Sequence, residues 1–153
     1  MELTERELKL IDLYDEICKL NPGYLLAITG SLSLRIMGMK LRREVNDLDI
    51  VVIIGSCLEL KMPVGFFVAD EHIVDYPFFR YSNGEILVDV LRNNSREVFL
   101  KSEKGTICSM RDTLSVKLDY VYKDANEDSR LKHYLDLIYI FKNNNLTFEK
   151  NLL

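Results

Sequence analysis

Asn46-Asp47-Leu48-Asp49-Ile50-Val51-Val52-Ile53-Ile54 is the stretch on which the fold turns. In a strand, residues two apart share a face, so Asp47 and Asp49 stand side by side while the apolar run behind them is buried. Two carboxylates this close repel, and both stay ionised at neutral pH only with a cation between them. Magnesium suits such a seat, because it takes a few carboxylates together with waters and substrate phosphates. Upstream, the apolar run Tyr24-Leu25-Leu26-Ala27-Ile28-Thr29 ends at Gly30-Ser31. A helix expected over 32–39 would turn its free N–H groups toward an anion there. Downstream, Asp89 interrupts a third apolar strand between Val88 and Val90. A carboxylate in that setting is costly to bury unpaired. Either it faces solvent from a half-exposed strand, or it joins Asp47 and Asp49 around a cation, and the presence of the other two favours the second.

The remaining pattern supplies a frame. Thr4 is a helix cap, and Leu8, Ile11, Leu13, Ile17 and Leu20 recur at helical spacing until Asn21-Pro22-Gly23 stops the helix. Residues 40–46 form a charged loop. A short strand is expected at Phe66-Phe67-Val68-Ala69, while residues 73–81 are ambiguous because Pro77 argues against a central strand. Ser82-Asn83-Gly84 is a turn leading into a strand over 85–91, which Asn93-Asn94-Ser95 ends. From Arg111 the period is helical, with Asp112-Thr113 as a cap. After a polar break at 123–128, Ser129 caps a last helix with Leu131, Tyr134, Leu135, Leu137, Ile138 and Phe141 inward, and the tail is less ordered. Helix, strand, helix, several strands and then helices make a mixed α/β or α+β domain.

Composition sets outer bounds. The chain has 153 residues, 48% hydrophobic and 29% charged, as expected for one soluble domain with a core. A net charge of -4 argues against a surface built to coat nucleic acid. Cys18, Cys57 and Cys108 have no CxxC spacing and read as free, buried thiols of a reducing cytoplasm. No signal-peptide core and no membrane-spanning run is present, so a cytoplasmic location without membrane attachment is expected. His72 and His133 have no metal-ligand partner at useful spacing, which disfavours zinc.

The series Ile28-Thr29-Gly30-Ser31, Asn46-Asp47-Leu48-Asp49-Ile50 and Leu87-Val88-Asp89-Val90 resembles the signature of the nucleotidyltransferase superfamily, whose fold is shared with DNA polymerase beta. Ser129-Arg130-Leu131-Lys132-His133-Tyr134-Leu135-Asp136-Leu137 is similar to the Arg-x-Lys-Asp-x-x-Asp-Leu pattern of small bacterial members, among them abortive-infection toxins and antibiotic-modifying enzymes. Arg43 matches an arginine those toxins carry. The chain departs from the pattern at His133, where an Asp is usual, and at Leu32 and Val45. The resemblance covers about residues 24–141.

It implies an α+β fold: a mixed sheet flanked by helices, with C-terminal helices. The whole of 1–153 would be one domain, with a core over about 24–92 and a helical part over about 111–142. It implies a magnesium-dependent enzyme of the EC 2.7.7 type that moves a nucleoside monophosphate from ATP or another nucleoside triphosphate to an acceptor hydroxyl, releasing pyrophosphate. The acceptor would be a small molecule, a protein or an RNA. Asp47, Asp49 and Asp89 would hold two Mg2+ ions, with Asp89 ligand, base or both. Gly30 would admit the triphosphate and Ser31 would bond it. Arg43, Lys117 and Lys132 would neutralise it, the two lysines before the arginine, whereas Arg35 reads as a solvated surface charge. Tyr120, Tyr122, Tyr134 and Tyr139 read as core or groove wall. The toxin-like members point to an antitoxin-like protein partner, and the short chain suits either an open site or one completed by a homodimer. The alternative from another class is a catalytically inactive fold that binds a nucleotide or a partner.

Overall fold

The computed structural model describes residues 2–72, 78–93 and 97–152. Pro77 and the stop signal at Asn94-Ser95 lie outside the described residues. The elements run α1 (Glu5–Leu20), β1 (Leu25–Thr29), α2 (Gly30–Ile36), β2 (Leu48–Ile54), β3 (Phe67–His72), β4 (Phe78–Ser82), β5 (Leu87–Arg92), β6 (Phe99–Ser102), β7 (Gly105–Cys108), α3 (Met110–Lys123), α4 (Glu127–Asn143) and α5 (Phe148–Asn151). The architecture is α+β, as expected. One seven-stranded mixed sheet has the order β3-β4-β5-β2-β1-β7-β6. The pairs β2–β5 and β1–β7 are parallel and the others antiparallel.

Period-two alternation separates the two faces of this sheet. Leu48, Ile50 and Val52 of β2 and Val88 and Val90 of β5 are buried in one cluster with Leu10, Ile11, Tyr14 and Ile17 of α1. Each such aliphatic side chain contributes about 1.5–3 kcal/mol by leaving water. The intervening residues, Asp49, Val51, Asp89 and Leu91, face the opposite side, where they line a cavity. Across that cavity, Leu34 and Met39 pack with Leu114 of α3 and Leu137 and Ile140 of α4 in a second cluster.

α1 starts with a full capping box: the Thr4 side chain accepts from the Glu7 N–H, and Glu7 accepts from the Thr4 N–H. Its buried face differs from the expected one. Leu10 and Tyr14 turn inward, while Leu8 is 41% and Leu20 38% exposed. α4 shows the larger shift. Of its apolar side chains only Leu137 and Ile140 are buried, and Leu131, Tyr134, Leu135 and Ile138 are exposed. α3 is capped by Ser109 rather than by Asp112-Thr113, and α4 by Asn126 rather than Ser129. The β6–β7 hairpin was not anticipated, and the tail is ordered as α5. Cys108 is buried as expected, but Cys57 is exposed; the three thiols are free.

Candidate active site

Strand register assembles the acidic row. Thr29 of β1 pairs with Asp49 of β2, Asp49 with Asp89 of β5, and Asp89 with Arg80 of β4. Paired residues project on one face, so four neighbouring strands present Thr29, Asp49, Asp89 and Arg80 in line. Asp47, two residues before Asp49, lies on the same side at the cavity rim. The sheet thus brings together the three aspartates expected from the sequence. It adds a partner the sequence reading lacked. Arg80 grips Asp89 with two bonds, Nε to Oδ1 at 2.7 Å and Nη2 to Oδ2 at 2.9 Å. Asp89 is therefore not an unpaired carboxylate.

Gly30 explains how Asp49 fits. Its φ of +66° is left-handed, and a Cβ there would fall on the Asp49 carboxylate, with Asp49 Cγ 3.1 Å away. Only glycine meets both demands cheaply. The helix it opens has seven residues, starting at Gly30 itself, and Thr29 makes no side-chain cap bond to it. The helix is too short for its dipole to matter much; what it offers the cavity is the backbone N–H groups of its first turn. Ser33 fastens this turn, donating to the Gly30 carbonyl at 2.7 Å and meeting the Thr113 hydroxyl of α3 at 3.2 Å.

The opposite wall is basic. Asp136 of α4 is buried and accepts from Arg42 Nε at 3.0 Å and Arg43 Nε at 3.1 Å, with Lys117 Nζ at 3.5 Å. Arg43, expected on the triphosphate, is thereby committed to Asp136. The Lys117 side chain is only 11% exposed, and Lys132 is exposed at the cavity edge. Arg35 is neither a phosphate ligand nor a solvated charge. It is buried against Glu7, Nε to Oε2 at 2.8 Å, away from the cavity. His133 is half-buried: its ring stacks on Tyr120 at 5.0 Å, and its Nδ1 is buried with no hydrogen-bond partner among the described residues. Tyr120 lines the cavity, whereas Tyr122 and Tyr134 are exposed.

The electrostatics follow from this layout. Burial at the cavity floor, then the charges of Asp89 and Asp47, push Asp49 up to about 7. Partial desolvation and Asp89 also raise Asp47. Burial, with Lys117 and Lys132 nearby, lowers His133 to about 4, so its imidazole is neutral at pH 7. Desolvation likewise lowers Lys117, though Asp136 opposes it. Three hard oxygen donors on one face, one of them held partly protonated for want of a counter-charge, form a donor set that fits a divalent cation. Among the described residues no three such groups are already drawn around one point, and Asp89 is turned to Arg80. The whole cavity measures about 510 Å³, within the range of small-molecule sites.

Comparison with known proteins finds no matching family model and no matching curated protein. Solved structures do match. A candidate nucleotidyltransferase from H. pylori is 17% identical, with 96% of this chain and 74% of that chain covered at a TM-score of 0.53. ANT(2'')-Ia in complex with adenylyl-2''-tobramycin is 15% identical, with 93% and 92% covered at 0.58. An antigenic nucleotidyltransferase-like protein from Paracoccidioides brasiliensis is 15% identical, with 90% and 76% covered at 0.50. The chain has the nucleotidyltransferase fold. Among the described residues no helix is long and apolar enough to cross a membrane.

Proposed function

We propose that this protein is a nucleotidyltransferase, which transfers a nucleoside monophosphate from a nucleoside triphosphate to an acceptor hydroxyl and releases pyrophosphate. The observation that carries the reading is the register-aligned row of Asp49 and Asp89, with Asp47 beside it, set against the left-handed Gly30 turn on one side of a basic-walled cavity. Asp47 and Asp49 would hold two magnesium ions, with Asp89 a further donor to the second; such ions supply charge neutralisation for the triphosphate and for the developing transition state.

The chain's own groups divide the remaining work. Gly30 leaves room for phosphate to approach the backbone, and the first-turn N–H groups with the Ser31 hydroxyl donate to its oxygens. Lys117 and Lys132 meet the phosphate charge from the helix wall, while Arg43 holds the 40–47 loop to Asp136. The acceptor oxygen attacks the α-phosphorus in line. That bond forms as the bond to the bridging oxygen breaks, pyrophosphate leaves, and Asp89 takes the acceptor proton. An acceptor of small-molecule size suits a cavity of about 510 Å³. One observation favours a second reading, nucleotide binding without turnover: both oxygens of Asp89 are engaged by Arg80.

Isothermal titration of a non-hydrolysable ATP or GTP analogue with magnesium tests the binding site, on wild type and on an Asp47→Ala, Asp49→Ala double variant. Magnesium-dependent binding is expected for wild type and none for the variant. A folded wild type that binds none of the four nucleotides would sink both readings. Pyrophosphate release in an acceptor screen separates turnover from binding alone.

A further inference from the structure

The third carboxylate already has a cation. Across the β4–β5 pairing, Arg80 presents Nε and Nη2 to both oxygens of Asp89. This is the bidentate edge that matches a carboxylate in plane, the strongest form of the contact. Neither Asp47 nor Asp49 has an ion pair or side-chain hydrogen bond of this kind among the described residues. The row is therefore asymmetric: two carboxylates are open to an incoming cation and one is occupied. The Arg80 side chain is 41% exposed and lines the cavity.

We propose that Arg80 is a resident counter-ion that competes with a second divalent cation for Asp89. One cation binds at Asp47 and Asp49 without displacing anything, and a second binds weakly, because the guanidinium must first let go of Asp89. Arg80 is thus a positioning residue that sets the order and the relative affinity of the two ions. The inference rests on the nucleotidyl-transfer reading.

Mn2+ binding to the full chain with a non-hydrolysable ATP analogue tests it, read as free Mn2+ by electron paramagnetic resonance. Wild type should bind one ion tightly and a second more weakly. Arg80→Gln should tighten the second ion by about five- to tenfold, the worth of a partly exposed charge-assisted pair, and change the first much less. Adding Asp89→Asn to Arg80→Gln should remove the gain. Arg80→Lys keeps the charge without the planar fork and should tighten the second ion by only about twofold; it carries the test if Arg80→Gln does not fold. Equal second-ion affinity in wild type and Arg80→Gln overturns the proposal, and so does a weaker one, which would make Arg80 a support for metal binding. A folded wild type that binds no Mn2+ overturns the nucleotidyl-transfer reading and this inference with it.

Discussion

The two walls of the cavity are charged in opposite senses. On the sheet wall stand three carboxylates, Asp47, Asp49 and Asp89, and Arg80 pairs with Asp89 alone. On the helix wall a single carboxylate, Asp136, is shared by three cations, Arg42, Arg43 and Lys117. Within these two clusters the acidic groups predominate on the sheet and the basic groups on the opposite wall. A ligand that suits both at once carries both signs, a divalent cation for the sheet and an anion for the helices. A metal-bound triphosphate is such a ligand, and the contrast supports the proposed function without invoking any single residue.

The helix wall breaks most severely. Asp136→Ala leaves three cations around a buried gap and should cost about 3–5 kcal/mol in urea denaturation. Burial alone would raise the Asp136 carboxyl, but the bonds and charge of Arg43 and Lys117 outweigh it and hold the group below its ordinary range. Its folded value being depressed, its contribution is present above the ordinary carboxylate range and is lost as pH falls through the folded value. Acid should therefore loosen the helix wall, and Asp136→Ala should flatten that acid limb.

Gly30→Ala comes next. A left-handed alanine costs about 1–2 kcal/mol, and its methyl would also meet the Asp49 carboxylate. A lowered Tm and loss of magnesium-dependent nucleotide binding are expected together. Asp49→Asn acts in the opposite direction. The folded carboxyl sits at about 7, above its ordinary value of 3.8. Its contribution is full below the lower value and declines as pH rises through the higher one. Without divalent ions, Asp49→Asn should raise Tm at pH 8 by about 3 °C or more, with a smaller gain near pH 4. A Tm unchanged at pH 8 would mean that Asp49 is not strained by its neighbours. The smallest effect is at Lys132, an exposed charge: Lys132→Met should weaken nucleotide binding by about two- to fivefold and leave Tm alone.

The sheet wall was largely legible in the sequence, and the helix wall was not. β2 carries its own signal, since an acidic pair followed by an apolar run gives both its bounds and its facing. Asp89 is visible because a charge amid valines is anomalous. Arg80 stands in a stretch obscured by Pro77, and its partnership depends on the antiparallel register of β4 with β5. Asp136 lay within the pattern that was recognised, yet its partners Arg42 and Arg43 are more than ninety residues away. α4 misled because so many apolar side chains compete for one inward face, and of them only Leu137 and Ile140 are buried there. The β6–β7 strands have four residues each and hold Lys101, Ser102 and Thr106, too polar for a period-two signal.

The parallel pairing of β2 with β5 has a consequence for how the molecule folds. Asp49 and Asp89 are adjacent in space, yet β3 and β4 intervene in sequence. Closing that loop is an entropic cost met before the long-range contacts return anything. The two like charges therefore meet only at the end of a long-range closure. The β2–β5 amides should exchange with solvent at the rate of global opening, and no shorter fragment should retain the acidic row.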